Sequence, residues 1–484
     1  MTDTSLLVLL PFLAALAATI HARGAAGWGL AGTVASAGLA AHLALSVHAS
    51  GPASIAIGGW AAPLGITLRA DGLAALMIAM TALVGLGVCV QALAAWGLRP
   101  TAVEDPRRAR MRMGFWPLWL STLAALNGLY LSGDLFNLYV TFEILGLAAV
   151  GLTALSGTRR ALRAAFDYLV AGLAGSLLLL LGVALAYAAA GRVDLGVLPL
   201  LADSAAGRIA IALIVSGVGL KAALFPLHFW MPAAHSSAAP AASAILSALV
   251  VKGALYLALR LLLEGGLVAD ALRWGLICLG AGGMAWGSVC ALRADRLKLL
   301  VAYSTVAQIG LIMLAISVAG DPLTGTAWQA AALLMLSHAL AKAAMFLAVG
   351  RIAEELGHDR ISGLNRSDLR PGAAEFAFAI AAISLIGLPP TAGFVGKWVL
   401  IDGLIGQGAW PVVALVLTGT VLSVAYLSRV VSRCLRGGPH IAPGARRPPW
   451  RAGDVAAIGL AFTALFMGLL SAAPLALLNG PLLS

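Results

Sequence analysis

Trp328-Gln-Ala-Ala-Ala-Leu-Leu-Met-Leu-Ser-His-Ala-Leu-Ala-Lys-Ala-Ala-Met-Phe-Leu-Ala-Val-Gly350 runs for 23 residues with Gln329, Ser337, His338 and Lys342 as its only polar side chains. A helix crosses the hydrocarbon core of a bilayer with about 20 predominantly apolar residues, so the stretch reads as a membrane span. His338 and Lys342 stand four residues apart and share one face of that helix. Such a face borders something other than lipid.

Thirteen further runs of this kind can be marked, giving fourteen in all: 5–20, 26–47, 73–96, 115–131, 135–155, 164–190, 209–225, 241–263, 272–292, 299–318, 328–350, 374–401, 412–431 and 455–478. Composition agrees. Of 484 residues, 61% are hydrophobic and 11% charged, against about 45–50% and 25% in soluble proteins. With a mean hydropathy of +0.97, this excludes a soluble enzyme, a disordered chain and a secreted disulfide scaffold. The expected fold is an all-α integral membrane protein of about fourteen transmembrane helices. The first run has no basic flank or small-residue cleavage site and reads as a retained helix, not a signal peptide.

The net charge of +11 does not point to nucleic acid, because the arginines fall in the membrane loops. Odd-numbered loops hold 22 Lys and Arg, and even-numbered loops hold 5. Basic residues collect on the cytoplasmic side, so odd loops are expected in the cytoplasm and both termini outside, in a bacterial inner membrane. Four lysines belong to neither set: Lys221, Lys252, Lys342 and Lys397 lie within spans, and only Lys298 is read as a loop lysine.

A lysine at a helix centre costs about 2.5–3.5 kcal/mol. Four of them, with Glu143 as the only carboxylate read deep in a span, cost on the order of 12–17 kcal/mol. That rivals the stability of an ordinary domain. Snorkelling relieves lysines near helix ends, but Lys252 and Lys342 are too deep in their runs for it. An interior polar pathway accounts for all five.

Proline marks where the pathway breaks the helices. Lys221 precedes Pro226 and Pro232, whereas Pro389-Pro390 precedes Lys397. Proline removes a backbone donor and clashes with the preceding turn, and broken spans are tolerated where they line a polar cavity. The opposite order of lysine and proline in the seventh and twelfth spans suggests two inverted halves; an ordinary packed kink is the alternative for Pro389-Pro390. His338 and Lys342 suit a proton relay, since histidine titrates near neutrality. Ser304 and Gln308, beside Tyr303 and Thr305, form a face that holds water or bonds a neighbouring helix. His228 and His235 flank the seventh-span break as relay groups or as polar caps. Asp402 reads as interfacial.

Other chemistries lack their residues. There is no P-loop. Gly280-Ala-Gly-Gly resembles a piece of a dinucleotide fingerprint but lies inside an apolar run without its strand–turn–helix context. Cys89, Cys278, Cys290 and Cys434 are scattered, so no disulfide framework, iron–sulfur cluster or metal knuckle is implied. No cofactor and no metal are expected, and no redox chemistry in this chain.

Six stretches together resemble the antiporter-like subunit family: Gly133-Asp-Leu-Phe-Asn-Leu-Tyr-Val-Thr-Phe-Glu143, the Lys221–His235 segment, Ser243–Lys252, Leu297–Gly310, Ser337-His-Ala-Leu-Ala-Lys-Ala-Ala-Met-Phe346 and Gly387–Lys397. The family comprises the A and D subunits of multisubunit sodium/proton antiporters, the large membrane subunits of respiratory complex I, and their counterparts in membrane-bound hydrogenases. Ala233, where relatives often carry Asp, departs from the pattern. So does Ala-Pro-Ala-Ala-Ser at 239–243, which lacks a second proline.

The resemblance implies two inverted five-helix repeats, 115–263 and 264–435, after an N-terminal three-helix segment (1–114) and before a C-terminal loop and helix (436–484). It implies that Glu143 and Lys221 form the charged pair of the first half-channel. Lys252 would bridge to the central relay of His338 and Lys342, and Lys397 would end the second half-channel. The 137–143 segment, the terminal lysine and the short tail look most like the D subunits of the antiporters. The expected function is proton translocation within a monovalent cation/proton antiporter, among other membrane subunits. Any sodium route is expected mainly in a partner. The alternative is the same pathway inside an NADH-quinone oxidoreductase or membrane hydrogenase. A standalone carrier of an organic solute is the weaker third reading.

Overall fold

The computed structural model describes residues 3–60, 65–98, 105–265, 270–319, 326–364, 371–436, 449–480 and 482. Each of the fourteen apolar runs carries helix. The chain begins with α1 (Asp3–Ile20) and α2 (Ala25–Ser50), then an antiparallel hairpin of β1 (Ala53–Ala56) on β2 (Thr67–Ala70), with Ala53 opposite Ala70. Helices α3 (Gly72–Trp96), α4 (Pro106–Leu131), α5 (Leu135–Ala154) and α6 (Arg159–Ala190) follow. The seventh span is two pieces, α7a (Ala205–Lys221) and α7b (Met231–Ser237). Next come α8 (Pro240–Gly265), α9 (Asp270–Arg293), α10 (Leu297–Ser317) and α11 (Ala327–Leu356). The twelfth span is again two pieces, α12a (Ala373–Ile386) and α12b (Ala392–Gly406), before α13 (Trp410–Arg436), α14 (Ala452–Leu469) and a short α15 (Ala472–Leu478).

Among the described residues, 10 helices are long and apolar enough to cross a membrane. The other four spans fall short for visible reasons. Helix α1 is short, α4 carries arginines in its first turns, and α7 and α12 are broken. Helix starts are fixed by side chains that accept from the free N–H groups of the first turn. Asp71 accepts from Ala74 N at α3, Asp134 from Asn137 N at α5, Ser204 from Gly207 N at α7a, and Thr391 from Phe394 N at α12b.

Helix α11 is buried along its whole apolar window, with α8 and α10 nearly so, whereas α2, α6 and α13 turn most of their residues outward. Lipid is as apolar as leucine, so helices associate through close packing of small residues. The Gly280-Ala-Gly-Gly run serves this purpose. A Cβ on Gly310 of α10 would lie 2.4 Å from the Gly280 carbonyl oxygen of α9, so only glycine permits that approach.

Three expectations are corrected. Arg260, counted with a loop, lies inside α8 at 3% exposure, where two carboxylates compensate it. Lys298 is the second residue of α10, and its amine donates to the Ala238 carbonyl at 2.9 Å. The last run does not continue to residue 478 as one helix but breaks between α14 and α15. Asp71 and Asp454 are also buried, but each lies at a helix start and is held by an arginine.

Candidate functional site: a chain of buried ionisable groups

Glu143 projects from the middle of α5 toward α6 and the end of α7a. Its Oε1 accepts a hydrogen bond from the Ser176 hydroxyl of α6 and lies 3.7 Å from the Lys221 amine. The same amine stands 5.1 Å from the centre of the Phe142 ring, a second favourable surface for a cation. Lys221 is the last residue of α7a. Beyond it Ala223 adopts φ +53°, and the Trp230 indole donates to the Leu220 carbonyl at 3.2 Å. Tyr168 of α6 stacks on Trp230 at 4.2 Å. The ending of α7a is therefore held by an aromatic clamp, which fixes Lys221 opposite Glu143.

Lys252 lies on α8 just after a π turn at Leu246–Val250. The wider turn leaves the Ser247 carbonyl open to a side chain, and the Lys252 amine donates to it at 2.6 Å. Its other partner is Nδ1 of His338, across the bundle on α11 at 2.5 Å. One nitrogen must donate and the other accept, so the pair holds a proton between two bases. Both residues are almost completely buried.

From there a hydroxyl path leads to Lys342. The Ser247 and Thr305 hydroxyls are 2.9 Å apart, and Thr305 donates to the Val301 carbonyl at 3.0 Å. Lys342 donates to that same carbonyl at 3.0 Å and to the Ser304 hydroxyl. One turn along α10, Gln308 donates to Ser423 Oγ at 3.3 Å and reaches the Leu385 carbonyl at 3.5 Å. Lys397 donates to the Ile386 carbonyl at 2.7 Å, the Leu385 carbonyl at 3.4 Å and Thr420 Oγ1 at 3.1 Å. Those carbonyls are free because α12a ends at Gly387, whose φ is +80° and where a Cβ would lie 2.8 Å from Lys397 Cδ. Both demands select glycine.

The structure thus brings Glu143 and Lys221 together, and separately Lys252, His338, Lys342 and Ser304, while Gln308 and Lys397 share the Leu385 carbonyl. His235 is buried on α7b with its ring edge toward Phe346, and Lys252 and Lys342 are the charged groups whose fields reach it. His228 stacks on Phe225 at 5.6 Å beside the break. Tyr303 is half-buried and stands apart from the relay, and Asp402 is exposed on α12b. Among the described residues no direct hydrogen bond crosses from Lys221 to His235 or Lys252.

Sequence reading missed Ser176, Ser247, Thr420 and Ser423, because a hydroxyl in an apolar helix is inexpensive and carries no signal. It also missed a second charged group where α3 begins and α8 ends. Arg260 Nη2 meets Asp71 Oδ1 at 2.6 Å, Arg69 Nη1 meets Glu264 Oε2 at 2.8 Å, and Arg260 Nη1 meets Glu264 Oε1 at 3.4 Å. The signal was present: Lys252, Tyr256, Arg260 and Glu264 recur every four residues along one face of α8.

Broken helices whose interiors carry lysines, a histidine and a carboxylate define a polytopic membrane protein of the ion-transport type. The chain belongs to the family described as NADH:quinone oxidoreductase/Mrp antiporter, transmembrane, whose pattern matches residues 132–423. It is similar to the N subunit of the NADH-quinone oxidoreductase of Desulforudis audaxviator, with 38% identity over 390 residues, 79% of this chain and 75% of the relative. It is also similar to the D subunit of the Na(+)/H(+) antiporter of Bacillus subtilis, with 30% identity over 371 residues, 76% and 72% of the two chains. Among solved structures, a chain of the membrane-bound sulfane sulfur reductase, an archaeal respiratory membrane complex, matches with a TM-score of 0.88 and 28% identity. That match covers 99% of this chain and 96% of the other.

Proposed function

We propose that this chain carries protons across a bacterial inner membrane as one member of a multisubunit complex, and that the complex exchanges a monovalent cation, sodium, for protons. The observation that carries the reading is the buried cluster at the centre of the bundle, where Lys252 meets His338, the Ser247 and Thr305 hydroxyls meet, and Thr305 and Lys342 share the Val301 carbonyl with Ser304 beside them. Structural ion pairs would bring carboxylates to such lysines, yet hydroxyls, carbonyls and an imidazole surround them. The hydroxyls and the imidazole can hand a proton on, and the carbonyls hold the amines in place. Residues 115–263 and 264–435 act as two half-channels, with Glu143–Lys221 at the start of one and Lys397 at the end of the other. Water carries the proton over the gap beside His228 and His235. Opening the Glu143–Lys221 pair removes the counter-charge that favours a protonated amine, which releases the proton to the next group.

A second reading has its own support. The Desulforudis audaxviator relative, more similar to this chain than the Bacillus subtilis one, belongs by name to a quinone oxidoreductase. That favours the same wire driven by electron transfer in partner chains. The test uses everted vesicles carrying the whole complex and a pH-sensitive dye. Sodium added without any electron donor should collapse a preformed pH gradient, and Lys397→Ala and Lys252→Ala should each abolish the response. Proton movement that needs NADH and quinone and ignores sodium would replace antiport with the redox-driven reading. Wild-type rates in both lysine variants would overturn the wire itself.

A further inference from the structure

Of the five lysines, Lys298 is the one for which the relay has no use. It is the second residue of α10, at the end of the bundle where the segments around Arg296 and Arg360 pair in a short β-bridge. Its side chain is half-buried, and its amine donates to the buried Ala238 carbonyl just past α7b at 2.9 Å. An ammonium has three donors, and among the described residues only this one has a partner. Asp359, Arg296 and Glu354 are the charged groups whose fields reach it. The nearest in effect, Asp359, is already held by Arg296 Nε at 2.8 Å. Lys298 therefore has no ion pair of its own among the described residues.

Capping α7b does not account for a lysine here. The Ala238 carbonyl already accepts the hydroxyl of Ser243, a fully buried residue of α8, at 3.1 Å. Two donors this close to one oxygen are within reach of a single bridging water. Both then lead toward the central cluster, since residues three or four apart share a helix face. Four residues after Ser243 comes Ser247, whose hydroxyl meets Thr305 at 2.9 Å and whose carbonyl takes Lys252 at 2.6 Å. Three residues after Lys298 comes Val301, whose carbonyl takes Lys342 at 3.0 Å. The interval between the two levels is one helical turn, about 5.4 Å. Next to Ala238 in the chain, the Ser237 hydroxyl is buried without a hydrogen-bond partner. Buried hydroxyls that lack a protein partner are normally met by water.

We propose that Lys298 passes protons between solvent on this face and the central cluster, through water in the one-turn interval between Ser243 and Ser247. The inference rests on the proton-carrying reading above and adds the group by which the cluster communicates with one side of the membrane. The ammonium gives its proton to that water, and the neutral amine left behind takes the next one from solvent; net flow the other way reverses both steps. The Ala238 carbonyl takes no proton and only holds the amine beside the interval.

The test substitutes Lys298 in three ways within the whole complex. Proton movement in everted vesicles is followed with a pH-sensitive dye, driven by whichever of sodium or an electron donor drives the wild type, with assembly checked by immunoblot. Lys298→Met keeps the stem and loses the proton. Lys298→Arg keeps the charge and a donor for Ala238 but does not release its proton. Lys298→His is shorter yet titrates near neutrality. The Met and Arg variants should each be slowed by about a hundredfold, the lower range of what a placed proton-transfer group contributes, and the His variant should recover part of the rate. A wild-type rate in Lys298→Arg would make the residue a structural cap and overturn the proposal, as would equal loss in all three variants. Wild-type rates in all three, with Lys252→Ala and Lys397→Ala inactive, would overturn it while leaving the central cluster standing. Activity in those two as well would remove the reading beneath it. Should Lys298→Met fail to assemble, the comparison of Arg with His carries the test.

Discussion

One oxygen of Glu143 has two partners, the Ser176 hydroxyl and, at 3.7 Å, the Lys221 amine. If the pair gates transport, charge at this position matters more than shape. Glu143→Gln keeps the shape and the hydroxyl contact but removes the charge, and should stop coupled transport. Glu143→Asp keeps the charge with a shorter reach and should retain part of it. Dissipation of a pH gradient in everted vesicles reads both, with assembly checked by immunoblot; wild-type coupling in Glu143→Gln would leave the residue a structural polar group. Glu143 and the lysines were legible in the sequence because a charge in an apolar run is expensive and needs a reason. Ser176 was not legible, because its role exists only once α5 and α6 are side by side.

At the scale of elements, α8 joins two networks on one face. Lys252 reaches the relay at the bundle centre, and two turns further on Arg260 is clasped by Asp71 and Glu264. Removing one partner of a buried ion pair strands the others, at a cost of about 3–5 kcal/mol. Arg260→Leu should therefore destabilise the complex on that scale, lowering its melting midpoint in detergent far more than Arg163→Leu on the periphery. An unchanged midpoint would mean that water already reaches the cluster. The broken helices were readable from Pro226, Pro232, Pro389 and Pro390, since proline acts on its own turn. The β1–β2 hairpin was not. Its strands are four residues each, too short for alternation to stand out. Glu264 was visible in the four-residue repeat of α8, but its pairing with Arg69, 195 residues away, was not.

For the whole molecule, the loop charges predict that Arg160, at the start of α6, and Asp203, just before α7a, lie on opposite sides of the membrane. Single cysteines at these exposed positions, in a chain cleared of its own four, should label from opposite faces, with Arg160→Cys protected from an impermeant reagent in intact cells. Labelling of that position from outside would invert the proposed topology. The two broken helices also differ in a way that their backbones conceal. Lys221 faces a carboxylate, whereas Lys397 is held by two carbonyls and a hydroxyl. A carbonyl oxygen neither gains nor gives up a proton near neutrality. None of the partners that hold Lys397 is ionisable, whereas Lys221 has a carboxylate beside it. Two helix breaks of similar outline thus present a lysine to unlike surroundings, one with a second acid–base group and the other without.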